Sequence, residues 1–372
     1  VDVFLVVGGF AESLIGFRLP LILALRERGL LVHVAAPALN LTSPVRRKLE
    51  GLGIVVHDIP MSRTGLNPFS DLRTIFALYV LMAKIRPTWM LGYTIKPVVY
   101  GSLAGWIAKV PFRYSLITGL GYAFQGGGRR GFLRGLVQRL YGVALSRVNK
   151  VFFQNPDDET LFRERGILKA RTPSVVVNGS GVDVDFFKVA PLPDQICFLF
   201  IARLLGDKGV REFALASGRV RAKYQNVRCV IVGWIDENPN AISSKELDSW
   251  TSRGFVDYLG KLDDVRPAIS DCSVYVLPSY REGTPRTVLE AMSMGRAIIT
   301  TNAPGCRETV VEGRNGVLIP VQSTDALEGA MLKFVENPEL VGRMGASSRH
   351  IAVEKYDVHK VNGVMLREMG VA

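Results

Sequence analysis

The sequence predicts an α/β protein of two doubly wound, Rossmann-like domains. Three observations carry this. Apolar strand-like runs alternate with amphipathic helical patterns in both halves. A Gly-, Pro- and Asp-rich passage, "VNGSGVDVDFFKVAPLPDQ" over 177–195, separates the halves. The length of 372 residues exceeds one ordinary core and suits two. In the first half the strands are "VDVFLVVG", "LLVHVAAP", "GIVVHDIP", "WMLGYT", "FRYSLITG" and "KVFFQN". "RLPLILALRERG" is a helix closing on Gly29, and "TIFALYVLMA", between Arg73 and Lys84, reads as a buried helix. In the second half the strands are "ICFLFIAR", "VRCVIVGW", "VDYLG", "SVYVLPS", "AIITT" and "GVLIP". The expected domains are 1–190, 191–355 and a C-terminal helical stretch, 356–372, able to pack back on the first. In two facing domains of this class the ligand is expected in the cleft between them, at the carboxyl ends of the strands.

Composition narrows the function. Hydrophobic residues at 48% and charged residues at 22% are those of a soluble globular chain. No uncharged apolar run is long enough to span a membrane. The start, "VDVFLVVGGF", enters a strand without a basic leader region. Cys197, Cys229, Cys272 and Cys306 have no metal-ligand spacing and read as buried thiols of a reducing compartment. The net charge of +12 falls wholly on residues 1–190, and from Leu72 to Pro156 twelve basic residues occur without an acid. Such a half fits nucleic acid, anionic lipid or a phosphorylated substrate, or is a solvated basic face. No nucleic-acid-binding module is recognisable.

The polar residues that follow strands carry the chemistry. In "IARLLGDKG", Arg203 ends a strand and Lys208 follows five residues on, so that one loop can aim two cations at one diphosphate. In "LPSYREGTPRTVLEA", a strand ends near Leu277 and a helix starts near Pro285. First-turn amides around Thr284 and Arg286–Val288 can receive a phosphate. Glu290, in the second turn among Val288, Leu289, Ala291 and Met292, can accept hydrogen bonds from a vicinal diol such as that of ribose. Glu282 precedes the helix and reads either as a sugar contact or as a capping carboxylate favoured by the helix dipole.

These motifs resemble the retaining GT-B glycosyltransferases of family 4. The Glu-x7-Glu of "REGTPRTVLEA", the Arg-x4-Lys of "IARLLGDKGV", "VVNGSGVDVDFF" and "NGVLIP" carry the likeness over nearly the whole chain, most specifically over 175–320. "GWIDENPNAIS" and "YTIKPVVYGSLAG" are similar to the bacterial subgroup that extends sugars on undecaprenyl diphosphate in N-glycan, O-antigen and capsule assembly. The resemblance implies a catalytic set of Arg203, Lys208 and Glu282: two cations on the departing diphosphate and a carboxylate on the sugar 3- or 4-hydroxyl. It implies that Glu290 binds the ribose. Gly283, Thr284, Pro285 and Arg286 would form the turn gripping sugar and distal phosphate, and Gly8 and Gly9 would approach the diphosphate. Phe10 and Ala11 stand where the family commonly continues with glycine, and no His lies between His57 and His350. Thr94 and Lys96 occupy the cleft position instead, with Thr118 and Gly119 on its floor.

The resemblance implies a UDP-sugar donor, a polyprenyl-diphosphate-linked sugar acceptor, and no cofactor or metal. The subgroup likeness points to N-acetylgalactosamine. Asp183 and Asp185 form a DxD, but in the passage between domains. A basic amphipathic pattern with Arg129, Arg130, Phe132, Leu133 and Arg134 suggests contact with an anionic membrane, placing the protein in the cytoplasm on the inner face of the plasma membrane. The alternatives are a soluble phosphorylated polyol or sugar as acceptor and, in another class, a nucleic-acid-binding protein.

Overall fold

The structure, a computed structural model, describes residues 2–62, 67–120 and 130–371. It contains two parallel sheets. The first has seven strands: β1 Val3–Val7, β2 Leu31–Ala36, β3 Val55–Asp58, β4 Trp89–Tyr93, β5 Phe112–Ile117, β6 Lys150–Phe153 and β7 Ser174–Val176. Their spatial order is β3-β2-β1-β4-β5-β6-β7. The second has six: β8 Cys197–Ile201, β9 Arg228–Val232, β10 Asp257–Tyr258, β11 Val274–Leu277, β12 Ala297–Thr301 and β13 Gly316–Ile319, in the order β10-β9-β8-β11-β12-β13. Every pairing is parallel, with Val6 opposite both Val34 and Leu91, and Leu199 opposite both Val230 and Tyr275.

Continuous apolar runs form these strands because both faces of each sheet are covered. In β1 the two-residue side-chain period sends Leu5 and Val7 into one buried cluster and Phe4 and Val6 into the other. β7, in "TPSVVV", was not expected. Three half-exposed residues on a sheet edge, inside a turn-rich passage, leave too little pattern to read.

The chain divides into two compact units, Val1–Ser180 with Val361–Ala372, and Gly181–Lys360. The division falls before residue 190 because Val182, Val184 and Phe187 are buried in the second unit's core. It crosses the C-terminal stretch because Tyr356 belongs to that same core, whereas Met365, Leu366 and Met369 fill the first. The Tyr114 hydroxyl donates to the Met369 carbonyl at 2.8 Å, and Lys150 pairs with Glu368 at 2.7 Å. Gly181 lies at φ +70°, and a Cβ there would sit 2.6 Å from Val358 Cα, so only glycine lets these strands of chain meet.

His33, in β2, stacks on His57, with its Nδ1 2.9 Å from His57 Nε2. Burial lowers both pKa values, that of His57 to about 4, so the pair is neutral at pH 7 and one ring donates to the other. The helix Pro68–Ile85 is buried along Asp71, Thr74, Leu78 and Met82 only; Phe76 and Val80 are exposed, contrary to the expected buried helix. Among the described residues no helix is long and apolar enough to cross a membrane.

Candidate active site

In a doubly wound sheet the crevice opens where the strand order reverses. In the second sheet that point lies between β8 and β11, which are neighbours although two strands intervene in sequence. The loops leaving these strands carry Arg203 and Lys208 on one side and Glu282 on the other. They are locked together. Lys208 Nζ donates to Glu282 Oε1 at 2.5 Å, with both side chains largely buried. Tyr280 N–H donates to the Asp207 carbonyl at 2.8 Å, and the Tyr280 hydroxyl donates to Glu212 at 2.6 Å. Glycine permits the fit on both flanks. A Cβ on Gly209 (φ +75°) would collide with the Pro278 carbonyl, and one on Gly305 (φ +81°) with that of Glu282.

Arg203 Nη1 donates to Asp236 Oδ2 at 2.9 Å. Asp236 belongs to the loop after β9, which also takes the Leu204 N–H on the Trp234 carbonyl and the Gly206 N–H on that of Asn240. "GWIDENPNAIS" therefore supports the Arg203–Lys208 loop from behind. The helix Arg286–Ser293 starts one residue later than expected, with Pro285 as its N-cap. Its Val288 N–H already donates to the Pro285 carbonyl at 3.1 Å, which removes that amide from the expected phosphate set. The helix is anchored by Thr287 Oγ1, 2.6 Å from the buried Tyr275 hydroxyl, which also donates to the Ile201 carbonyl of β8. Glu290 is 6% exposed and accepts from Arg286 Nε at 2.8 Å. Desolvation raises its pKa and Arg286 partly offsets the rise. The arrangement thus sets two cations, each steadied by a carboxylate, and a third, buried carboxylate, Glu290, along one sheet edge.

The first sheet reverses its order between β1 and β4. A Cβ on Gly8 would lie 2.5 Å from the Tyr93 hydroxyl, and one on Gly9 at 2.5 Å from Thr94 Oγ1, so a side chain at either position would have to displace Tyr93 or Thr94. Ser13 Oγ lies 2.7 Å from the Tyr93 hydroxyl, and Arg18 stacks over that ring at 5.0 Å. Thr94 has φ +68°, a left-handed conformation that is a true outlier for a β-branched residue. Thr118 and Gly119 follow β5 at the same carboxyl edge, Gly119 at φ +130°. Lys96, expected beside Thr94 in the cleft, has its ammonium taken up by side chains of the same unit. It is buried and donates to Asp71 Oδ1 and Ser62 Oγ, each at 2.9 Å.

Left-handed strain of this kind costs about 1–3 kcal/mol and persists where a function needs it. Thr94→Gly is therefore expected to gain roughly 1 kcal/mol in denaturant stability while losing turnover, and Thr94→Ala to keep the strain but lose the hydroxyl. A Thr94→Gly protein that is less stable than the parent would contradict the strain.

Other expectations resolve simply. Asp183 Oδ1 accepts from the Asp185 and Phe186 amides, which ties the DxD into a turn. Arg129 lies outside the described residues, and so do the side chains of Arg130, Phe132, Leu133 and Arg134, whose backbone begins the helix Arg130–Leu145. Sequence reasoning missed Asp236, Tyr275, Gly209 and Gly305. The glycines in "DKGV" and "APGC" were the available signal for the last two.

The fold and these two edges define a class, the GT-B glycosyltransferases. Comparison with known families agrees. The model described as "Glycosyl transferase 4-like" matches residues 10–155, and "Glycosyl transferases group 1" matches residues 195–337. The chain belongs to this glycosyltransferase family and is a transferase. It is similar to N,N'-diacetylbacillosaminyl-diphospho-undecaprenol alpha-1,3-N-acetylgalactosaminyltransferase of Campylobacter jejuni, at 29% identity over 88% of each chain. It is also similar to UDP-Gal:alpha-D-GlcNAc-diphosphoundecaprenol alpha-1,3-galactosyltransferase of Escherichia coli, at 24% identity over 81% of this chain and 80% of that one. Among solved structures, HepE of Anabaena in complex with UDP superposes with a TM-score of 0.79 over 100% of both chains, at 19% identity, a likeness of fold.

Proposed function

We propose that this protein transfers an N-acetylhexosamine or hexose, N-acetylgalactosamine by preference, from a UDP-sugar to a sugar carried on undecaprenyl diphosphate, with retention of anomeric configuration. The observation that carries the reading is the set Arg203, Lys208, Glu282 and Glu290 gathered on the β8/β11 edge. The Campylobacter and Escherichia relatives, whose names specify undecaprenyl-diphosphate-linked acceptors, supply the acceptor class.

Breaking the sugar–phosphate bond builds negative charge on the diphosphate and positive charge on the sugar ring. An ammonium has three donors and a guanidinium five, so Lys208 can keep Glu282, and Arg203 keep Asp236, while each still donates to phosphate oxygens. Held in advance, they accelerate the reaction insofar as they bind the departing diphosphate better than the intact donor. Glu290 accepts the ribose hydroxyls, and Glu282 orients the transferred sugar. With two fixed cations on the diphosphate, the reading invokes no metal. Retention without a separate nucleophile has the acceptor attack the face the diphosphate leaves, a phosphate oxygen taking the acceptor proton. At the carboxyl edge of the first unit's sheet, Thr94, Thr118 and Gly119 serve the acceptor, and Gly8 and Gly9 serve the donor diphosphate. The protein would work in the cytoplasm, on the inner face of the plasma membrane.

The test is UDP release from a panel of nucleotide sugars, with a water-soluble short-chain prenyl-diphosphate sugar as acceptor. UDP-N-acetylhexosamine consumption with a product one sugar longer is the expected result. Transfer to a soluble phosphorylated polyol, and none to the prenyl acceptor, would replace this reading with the other.

A further inference from the structure

The helix Pro68–Ile85 buries only one of its two apolar faces. Asp71, Thr74, Leu78 and Met82 face the core, and Asp71 is held there by Lys96. On the opposite side Phe69 is 86% exposed, Leu72 64%, Phe76 65% and Val80 46%. Positions 69, 72, 76 and 80 recur at helical spacing and form one stripe. The other exposed residues of that stripe are Arg73, Ala83 and Lys84, so its only charges are positive. A folded chain rarely leaves two phenylalanines, a leucine and a valine in one contiguous row facing water.

We infer that this stripe lies in the interface of an anionic membrane, with Phe69, Leu72, Phe76 and Val80 among the acyl chains and Arg73 and Lys84 at the headgroups. Charge complementarity selects this occupant. The charged residues exposed beside the stripe, Arg73 and Lys84, are both cationic, which favours a negative surface and opposes a second copy of the same face. An apolar stripe with cationic edges is the pattern of a helix lying in the plane of a bilayer. The inference rests on the proposed function in one respect: an acceptor with a polyprenyl tail stays in the bilayer, and this helix brings the enzyme to it.

Flotation with mixed phosphatidylcholine–phosphatidylglycerol vesicles, and with phosphatidylcholine alone, tests it. The protein should float with the mixed vesicles and much less with phosphatidylcholine. The pair Phe69→Asp and Phe76→Asp should lower the bound fraction roughly tenfold or more. The pair Arg73→Glu and Lys84→Glu should abolish the preference for phosphatidylglycerol. All variants should bind UDP as the parent does and transfer to the water-soluble acceptor unchanged, since the altered side chains are on the surface. Vesicle binding unaffected by the phenylalanine changes would overturn the inference. So would a parent dimer, by sedimentation, that those changes convert to monomer while flotation persists. A parent that floats as expected but fails with the soluble acceptor overturns the functional reading and leaves the docking surface standing.

Discussion

Lys208→Ala is expected to lower kcat about 10²- to 10³-fold, corresponding to ~2.7–4 kcal/mol of lost transition-state stabilisation, with a smaller change in KM. The ammonium lies in a largely buried site 2.5 Å from Glu282, and the glycine-permitted contacts of Gly209 and Gly305 hold both loops. A cation so fixed needs no reorganisation when charge develops on the departing diphosphate. The same fixation makes Glu282→Ala informative. Removing the carboxylate leaves Lys208 in place without its anchor, so turnover should fall by a similar factor although the cation remains. If Lys208 and Glu282 act as one unit, the double variant will be little worse than either alone. Additive losses would assign them separate roles. Rapid-mixing rates at saturating donor separate this from weakened binding.

Glu290→Ala is expected to weaken UDP binding by about 1.5–3 kcal/mol, roughly 10- to 100-fold, the range for hydrogen bonds to a charged group. Calorimetry measures it directly. pH offers a second handle with a definite sign. Burial raises the Glu290 pKa, so the folded protein binds its proton more readily than the unfolded chain does. This group therefore makes the free protein more stable as pH falls. The ribose hydroxyls need the ionised carboxylate, so UDP affinity should fall over the same range, starting above the usual carboxylate pKa. Glu290→Gln should abolish that pH dependence while retaining part of the affinity. UDP affinity that is flat with pH in the parent would detach Glu290 from the nucleotide.

Most of the fold is legible in the sequence because parallel strands covered on both faces are written as unbroken apolar runs, as in "CFLFI" and "AIITT". The site is partly legible for a related reason. Residues in the loops that leave such strands stand at the carboxyl edge, and Arg203, Lys208, Glu282, Gly9 and Thr94 all do. What stays hidden is tertiary. Lys208 and Glu282 are 74 positions apart, and Arg203 and Asp236 are 33 apart. Nothing local announces either pair. Lys96 follows a strand and reads as a cleft residue, yet Asp71, on another helix, takes up its charge. The left-handed backbone of Thr94 contradicts its residue type, and no propensity predicts it. In the helix Pro68–Ile85 both faces are apolar, so periodicity cannot tell the face that packs from the face left in water.

The most direct test is a crystal structure of the protein with UDP. The account predicts the diphosphate within hydrogen-bonding distance of both Arg203 and Lys208, and the ribose hydroxyls on the Glu290 carboxylate. Nucleotide bound away from the carboxyl edge of β8 and β11, or held there without either cation, would contradict it.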